Sequence, residues 1–322
     1  MSRFESTLID CPLCGAHADR HEVVSQTDRR GRPLRSVVCT ACGLVFSNPM
    51  PVAAALDDFY TRDYRREYQK AITPKPRHII RAFRVAKRRL EGLQPYLPKT
   101  GRILDLGAGG GEWVHSLATA GYAAEGVEPN VGFARYAISE YGHPIAVAPL
   151  EAATVEPGSY DAVTAFHVLE HLRDPGAALD RVHALLTPKG KLIVEVPDIT
   201  ARDQSTATKF HPAHVVGFTA ETLGALARRH GFTIDADLTG RLNGENVALV
   251  LLRNATPVPG AMPPAKTVPR VKAALARQSR FHRRTLPNAV AKAWRAGAER
   301  LATRGMSGRR IAEKVLGPAG GG

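Results

Sequence analysis

Between residues 99 and 254 the chain alternates short apolar runs with segments whose apolar positions recur every three to four residues, the signature of strands and helices in turn. Ile103 to Leu106 predicts a buried strand. The glycines at 107, 109, 110 and 111 then let the backbone turn tightly into a helix that begins near Glu112, runs to Ala120 and stops at Gly121. A strand over Tyr122 to Val127 follows, then a helix from Val131 to Tyr141 closed by Gly142, a short strand near Ile145 to Ala148 and a fourth strand over Tyr160 to Phe166. A helix from Gly176 to Leu186 leads through Thr187-Pro-Lys-Gly190 into a fifth strand, Lys191 to Val196. Thr219 caps a helix reaching His230, and strands Phe232 to Asp237 and Val247 to Leu252 bring the count to seven. Repeated strand and helix units predict an α/β fold with helices on both faces of a mostly parallel sheet and ligands at the carboxyl ends of the strands.

The flanks follow other patterns. All four cysteines fall in two pairs, Cys11-Pro-Leu-Cys14-Gly15 and Cys39-Thr-Ala-Cys42-Gly43. Each C-x-x-C-G reads as a zinc knuckle, and four thiolates close a tetrahedral site with no open position, which points to a structural metal in a ribbon over residues 1–50. Redox dithiols and disulfides are the rival readings, and His17 and His21, between the pairs, are either substitute ligands or solvated histidines. Residues 51–98 read as helical: a segment starting at Val52 that carries Phe59, Tyr60 and Tyr64, then a long helix from His78 to Leu97. That helix has Ile79, Ile80, Phe83, Ala86, Leu90 and Leu93 on one face and Arg81, Arg84, Lys87 and Arg88 outside it, which predicts a solvated basic face. Residues 255–322 form a stiff proline-rich linker followed by a basic tail with helical patterns such as Asn288 to Thr303, and Gly317 to Gly322 reads as disordered.

Charge sharpens this division. The formal net charge of the 322 residues is +14, but residues 253–322 hold 15 Lys/Arg against Glu299 and Glu313, and residues 62–91 hold 11 against three acids. Those segments carry +13 and +8, leaving −7 for the rest, so the positive field belongs to the appendages and not to the predicted core. A basic amphipathic tail suits an anionic membrane surface, nucleic acid, or docking against the protein's own body. No apolar run approaches a membrane span and Met1 to Asp10 lacks a signal-peptide core, so the expected location is the cytoplasm, with the tail as a peripheral contact to the inner face of the membrane.

The glycine loop carries the chemistry. A dinucleotide fingerprint wants G-x-G-x-x-G, and from Gly107 its third glycine would fall at Glu112. Asp105 precedes the loop where a pyrophosphate would meet a carboxylate, so a cationic ligand suits it better. Glu128 ends the second strand, where such folds set an acid on a ribose diol. Adenosine with a positive tail describes S-adenosylmethionine. With Asp105-x-Gly107-x-Gly109-x-Gly111, Gly126-Val-Glu128-Pro129 and Phe166-His-Val-Leu-Glu170-His171 in order, residues 99–254 resemble the class I S-adenosylmethionine-dependent methyltransferases. The resemblance implies a Rossmann-like seven-stranded sheet ending in an antiparallel hairpin, with residues 51–98 as a helical cap. In the cap, Phe59, Tyr60 and Tyr64 would either approach the methionine end or pack on the core. It further implies a cofactor site of Asp105, Gly107, Ala108, Gly109, Gly111, Glu128, Pro129, Leu150, Glu151 and Phe166, with Leu150 and Glu151 at the adenine.

A hydroxyl acceptor needs a general base, and His167, His211 and His214, after the fourth and fifth strands, are the candidates. The ubiquinone-biosynthesis O-methyltransferases are similar at this place, with a Glu-x-x-Glu-His that holds a divalent ion. This chain offers His167, Glu170 and His171, with His in place of the first Glu. The ribbon, cap and core together resemble bacterial methyltransferases acting on sugars, which implies O-methylation of a glycosyl hydroxyl on a small-molecule or lipid-linked glycan. An RNA acceptor and a non-catalytic protein that retains only the fold are the alternatives.

Overall fold

A computed structural model describes residues 5–58, 72–202, 209–254, 256–280 and 286–317. Phe59, Tyr60 and Tyr64 lie outside the described residues, as do residues 318–322. The N-terminal strands are β1 (Ser6–Thr7), β2 (His21–Thr27), β3 (Pro33–Cys39), β4 (Val45–Ser47) and β5 (Met50–Pro51), followed by helices α1 (Ala53–Asp58) and α2 (Pro76–Leu93). The alternating stretch gives β6 (Arg102–Leu106), α3 (Glu112–Thr119), β7 (Ala123–Val127), α4 (Val131–Tyr141), β8 (Ile145–Ala146), β9 (Tyr160–Phe166), α5 (Pro175–Leu185) and β10 (Leu186–Pro197). Then come β11 (Val216–Gly217), α6 (Ala220–Arg229), β12 (Phe232–Asp237), β13 (Asn246–Arg253) and three tail helices, α7 (Thr267–Arg280), α8 (Leu286–Ala302) and α9 (Gly308–Leu316).

The seven core strands form one sheet in the order β12-β13-β10-β9-β6-β7-β8. The β6, β7 and β8 pairings are parallel, whereas β13 runs antiparallel to both β10 and β12, giving the expected hairpin at one edge. Local chemistry fixes the ends of the helices. Asn130 accepts from the Phe133 amide to open α4 and Gly142, at φ 77°, closes it. Asp174 caps α5 ahead of Pro175, and Thr219 forms a capping box with Thr222 at α6. Several boundaries differ from the sequence pattern, among them the end of α2 at Leu93 where the pattern predicts Leu97 and the start of β10 at Leu186 where it predicts Lys191. Pro76 occupies the first turn of α2, where its missing N–H costs nothing, so the helix starts two residues early. β8 stops at Ala146 because the Ala148 amide turns back to the Ala146 carbonyl.

By internal contacts the chain divides into two compact units: Met1–Phe59, Glu156–Ser159 and Val163–His282, and Tyr60–Val155, Tyr160–Ala162 and Arg283–Gly322. In the first, the cysteine-bearing sheet has the order β11-β4-β3-β2, so its fourth strand comes from Val216 and Gly217, far along the chain. Helix α7 joins that core, burying Val271 and Leu275 with Val38, Val45, Ile199 and Phe210, and Lys272 pairs with Glu22 at 2.6 Å. In the second unit, α9 buries Ile311 and Ala312 against Ile79, Ile80, Phe83 and Tyr141.

The tail therefore packs on the protein's own body, and the basic face of α2 is not simply solvated. Arg81 and Arg84 pair with the buried carboxylate of Glu299 on α8, and Lys87 donates to the Val315 carbonyl at the C-terminal end of α9, where the helix dipole favours a cation. Ile311 is fully buried at the centre of this contact. Ile311→Ala is expected to cost about 2–5 kcal/mol of docking. Trypsin should then cut the arginine-rich stretch 295–310 at least about tenfold faster in the variant than in the parent, while the rest of the digest stays unchanged.

Candidate functional site

In the second unit the turn after β6 is held from three directions. The amides of Gly107 and Ala108 both donate to the Val127 carbonyl, at 2.8 and 3.0 Å, and the Gly111 amide donates to Ala108 at 2.9 Å. Gly107, Gly109 and Gly111 have φ of 70°, 57° and 83°, a region that side chains avoid. At Gly111 a Cβ would also stand 2.7 Å from that of Ala137, so helix α4 packs directly on the loop. Glu128 closes the arrangement: Oε2 accepts from the Gly109 amide at 2.7 Å and Oε1 from the Asn130 amide at 2.9 Å.

Three carboxylates are buried in this turn, Asp105, Glu112 and Glu128, at 4, 8 and 3% exposure. Such a concentration of negative charge repels a pyrophosphate and suits a cation. Of the residues the sequence singled out, Asp105, Gly107, Ala108, Gly109, Gly111 and Glu128 come together here. Pro129 is half-buried between Glu128 and the Asn130 cap, and Leu150 is buried in the turn after β8. Glu151 is exposed, and Phe166 ends β9.

The first unit holds a second constellation. His167, at the end of β9, is the one non-glycine residue with positive φ among those described (59°), a strained conformation of the kind that collects at functional sites. Its Nδ1 is 3.3 Å from Glu170 Oε1 and its Nε2 3.2 Å from Glu195 Oε1. Glu195 is fully buried and also accepts from Asn246 at 2.8 Å and Asn243 at 3.2 Å. Burial alone would lower the pKa of His167, but the carboxylates of Glu170 and Glu195 outweigh it and raise the value to about 9.

Glu170 is 2% exposed and, beyond its 3.3 Å ion pair with His167, neither of its oxygens has a hydrogen-bond partner among the described residues. Its carboxylate and one nitrogen each of His171 and His214 lie within 4.8 Å of one another. His171 donates through Nδ1 to the Ala213 carbonyl at 2.7 Å, and in the neutral ring that tautomer would put the lone pair on Nε2. The rings of His211 and His214, tilted at 45° with centroids 3.8 Å apart, line a cavity of about 190 Å³ with Glu170, Asn246 and two ribbon serines, Ser36 and Ser47. His211 is pulled down to about 3 by burial, Arg29 and His171, and its Nδ1 accepts from the Ala213 amide at 3.1 Å. His214 is held well below its ordinary value by burial and by His171 and His211.

The three candidate bases differ in their surroundings. His167, its pKa raised to about 9, has both ring nitrogens turned to carboxylates. His211 accepts a backbone amide on Nδ1, which occupies the lone pair of its neutral ring. His214 lines the cavity beside it. Glu195, Asn243 and Asn246 escaped the sequence reading; the available signal was an acid in the apolar run Leu192-Ile-Val-Glu195-Val196.

In the ribbon the knuckles are superimposable in their bonding. Gly15 and Gly43, at φ 74° and 81°, donate to the carbonyls of Cys11 and Cys39. Cys11 and Cys42 sulfurs are 3.5 Å apart and those of Cys14 and Cys39 3.6 Å, far beyond the ~2.05 Å of a disulfide. Bonding to Cys11 lowers Cys14 to about 7 and pulls Cys39 down, whereas Cys11 and Cys42 are pushed up by their thiol neighbours. His21 is spent on the Ala16 carbonyl and Asn48, and His17 pairs with Asp10 at the surface, so neither completes the cysteine set.

Two tests follow from this geometry. In chelator-treated protein His167 should titrate near pH 9, and Glu195→Gln should move it back toward 6.5 by NMR. Because its folded pKa is raised, its contribution to stability is complete below about pH 6.5 and is lost as pH climbs through about 9. Gly111→Ala, which meets both the φ penalty and Ala137, should lower stability by about 1–3 kcal/mol, read as a drop in the denaturation midpoint.

Parts of the chain are similar to known proteins. Over 95 residues the chain is 39% identical to a ubiquinone biosynthesis O-methyltransferase of Bordetella bronchiseptica, a match spanning 28% of this chain and 39% of that protein. Over 123 residues it is 33% identical to the protein of the same description from Ralstonia nicotianae, spanning 36% and 50%. The chain thus spans half or less of the length of these curated relatives. Among solved structures, the 1,6-didemethyltoxoflavin-N1-methyltransferase of Burkholderia thailandensis superimposes with a TM-score of 0.48 at 18% identity, covering 66% of this chain and 96% of that one. A family model described as "Methyltransferase domain" matches residues 77–237, half of the chain, and the protein belongs to that family.

Proposed function

We propose that the chain transfers a methyl group from S-adenosylmethionine to a hydroxyl oxygen. The observation that carries this is the set of three buried carboxylates around the glycine turn, a cradle for a cationic nucleoside. Asp105 would bind the ammonium group, the Gly107 to Gly111 backbone would lie along the methionyl and ribose side, and Glu128 would present its oxygens to the ribose diol while keeping the turn closed. When bound, the cofactor supplies a methyl carbon on a sulfonium that leaves without help, so the residues' main task is alignment.

For the acceptor side we infer a divalent ion held by Glu170, His171 and His214. Two imidazoles and a carboxylate are a known donor set for such ions. The buried Glu170 carboxylate, which has an ion pair with His167 but no hydrogen bond among the described residues, fits that role, and an ion there would acidify an acceptor hydroxyl. His167 would remain an electrostatic anchor between Glu170 and Glu195. The cavity that His214 lines is large enough for one substituted ring, since about 150 Å³ already admits benzene. Its serines, asparagine and acids favour a hydroxylated ring such as a glycosyl unit over an apolar one. In the ribbon we assign zinc to Cys11, Cys14, Cys39 and Cys42. Sulfurs at Zn–S ~2.3 Å stand about 3.8 Å apart at the corners of a tetrahedron, close to the 3.5 and 3.6 Å observed.

Incubation with methyl-labelled S-adenosylmethionine and cell extract separated into sugar-nucleotide, glycolipid and RNA fractions should place label in a glycan fraction. Asp105→Asn should reduce it at least about tenfold. Label confined to RNA would overturn the acceptor, and undiminished label with the variant would overturn the cofactor assignment. Metal analysis should find one tightly held zinc per chain, lost in Cys42→Ser, and a second, exchangeable ion whose removal by chelator abolishes transfer. Full activity in chelator would leave His214 as a simple base.

A further inference from the structure

Helix α8 has two unlike faces. Its inner side carries Glu299, 8% exposed and paired with Arg81 and Arg84, and Thr303, just past its end, is 1% exposed. At ~100° per residue, Trp294, Ala298 and Leu301 fall within roughly 60° of one another on the opposite side. Trp294 and Leu301 are each 76% exposed, the most exposed large hydrophobics of the described chain together with Ile72. Arg295 lies on one flank of this stripe, and Arg300 and Arg304 lie on the other, all three exposed.

A tryptophan and a leucine two turns apart, at the crest of a docked helix and bordered by guanidinium groups, cost solubility and do nothing for the fold beneath them. We propose that this face of α8 seats the protein on an anionic lipid bilayer. Charge complementarity selects that occupant. The described stretch 294–316 holds six Lys/Arg against Glu299 and Glu313, and Glu299 is turned inward. The indole would lie at the headgroup level and Leu301 just below it, while the long arginine side chains reach phosphates on either side. No helix among the described residues is long and apolar enough to cross a membrane, so the contact is with the surface. The two halves of the surface act differently: the arginines respond to lipid charge and salt, the apolar pair does not.

The full-length protein is sedimented with vesicles of phosphatidylcholine alone and with about one-third phosphatidylglycerol. It should partition into the anionic vesicles, less so as salt rises, with a blue shift of Trp294 emission over the constant background of buried Trp113. Trp294→Ser/Leu301→Ser, which changes no charge and touches only exposed positions, should weaken partitioning about tenfold or more. Unchanged partitioning by the double variant, or equal binding to neutral and anionic vesicles, would overturn the proposal. So would loss of RNA-oligomer binding by the double variant with no vesicle binding by the parent. None of these readouts depends on methyl transfer.

Discussion

Glu128 is the interaction on which the site depends. One carboxylate, almost wholly buried, receives the Gly109 amide on one oxygen and the Asn130 amide on the other. It thereby ties the turn after β6 to the entry of α4, and Gly126 two residues earlier lets β7 approach so closely that a Cβ would meet Ala108 at 2.6 Å. A carboxylate taken from water is costly unless charge-assisted hydrogen bonds or a cation compensate it. Asp105 and Glu112 are buried beside Glu128, and the proposed binding of a cationic nucleoside rests on this grouping of acids, which a phosphate-binding glycine turn does not have.

The other unit applies the same economy of charge differently. Glu170 and Glu195 are both buried, and His167 stands between them as a cation in a strained backbone conformation. Glu195 has its amide partners as well, whereas Glu170 has the His167 ion pair but no hydrogen bond among the described residues. The proposed ion site rests on that asymmetry, since the acid without amide partners is the one grouped with His171 and His214. Ribbon strand β4 and the loop that carries His211 and His214 meet through β11, so the cysteine-rich segment helps to wall the cavity that those histidines line.

Much of this was legible in the sequence because it rests on local rules. The strand and helix alternation, the cap residues Thr219 and Gly142, and the two cysteine knuckles are short-range signals, and the structure follows them closely. The glycine turn was legible too, since Glu112 and Asp105 break a phosphate pattern within ten residues. What escaped depends on partners distant in sequence. Glu195 looked like one polar residue in a strand until Asn243, Asn246 and His167 surrounded it. The basic face of α2 read as solvated because Glu299 and Val315, its partners, lie more than 200 residues on. The protonation of His167 and the spent lone pair of His211 are decided by neighbours that no spacing announces.

The measurement that bears most directly on this account is calorimetric titration of the purified protein with S-adenosylmethionine and, separately, with NAD. The account predicts a single site for S-adenosylmethionine, displaced by S-adenosylhomocysteine, with no detectable heat from the dinucleotide, because its pyrophosphate would meet Asp105, Glu112 and Glu128. Binding of NAD as tightly as the sulfonium nucleoside, or of neither, would contradict it.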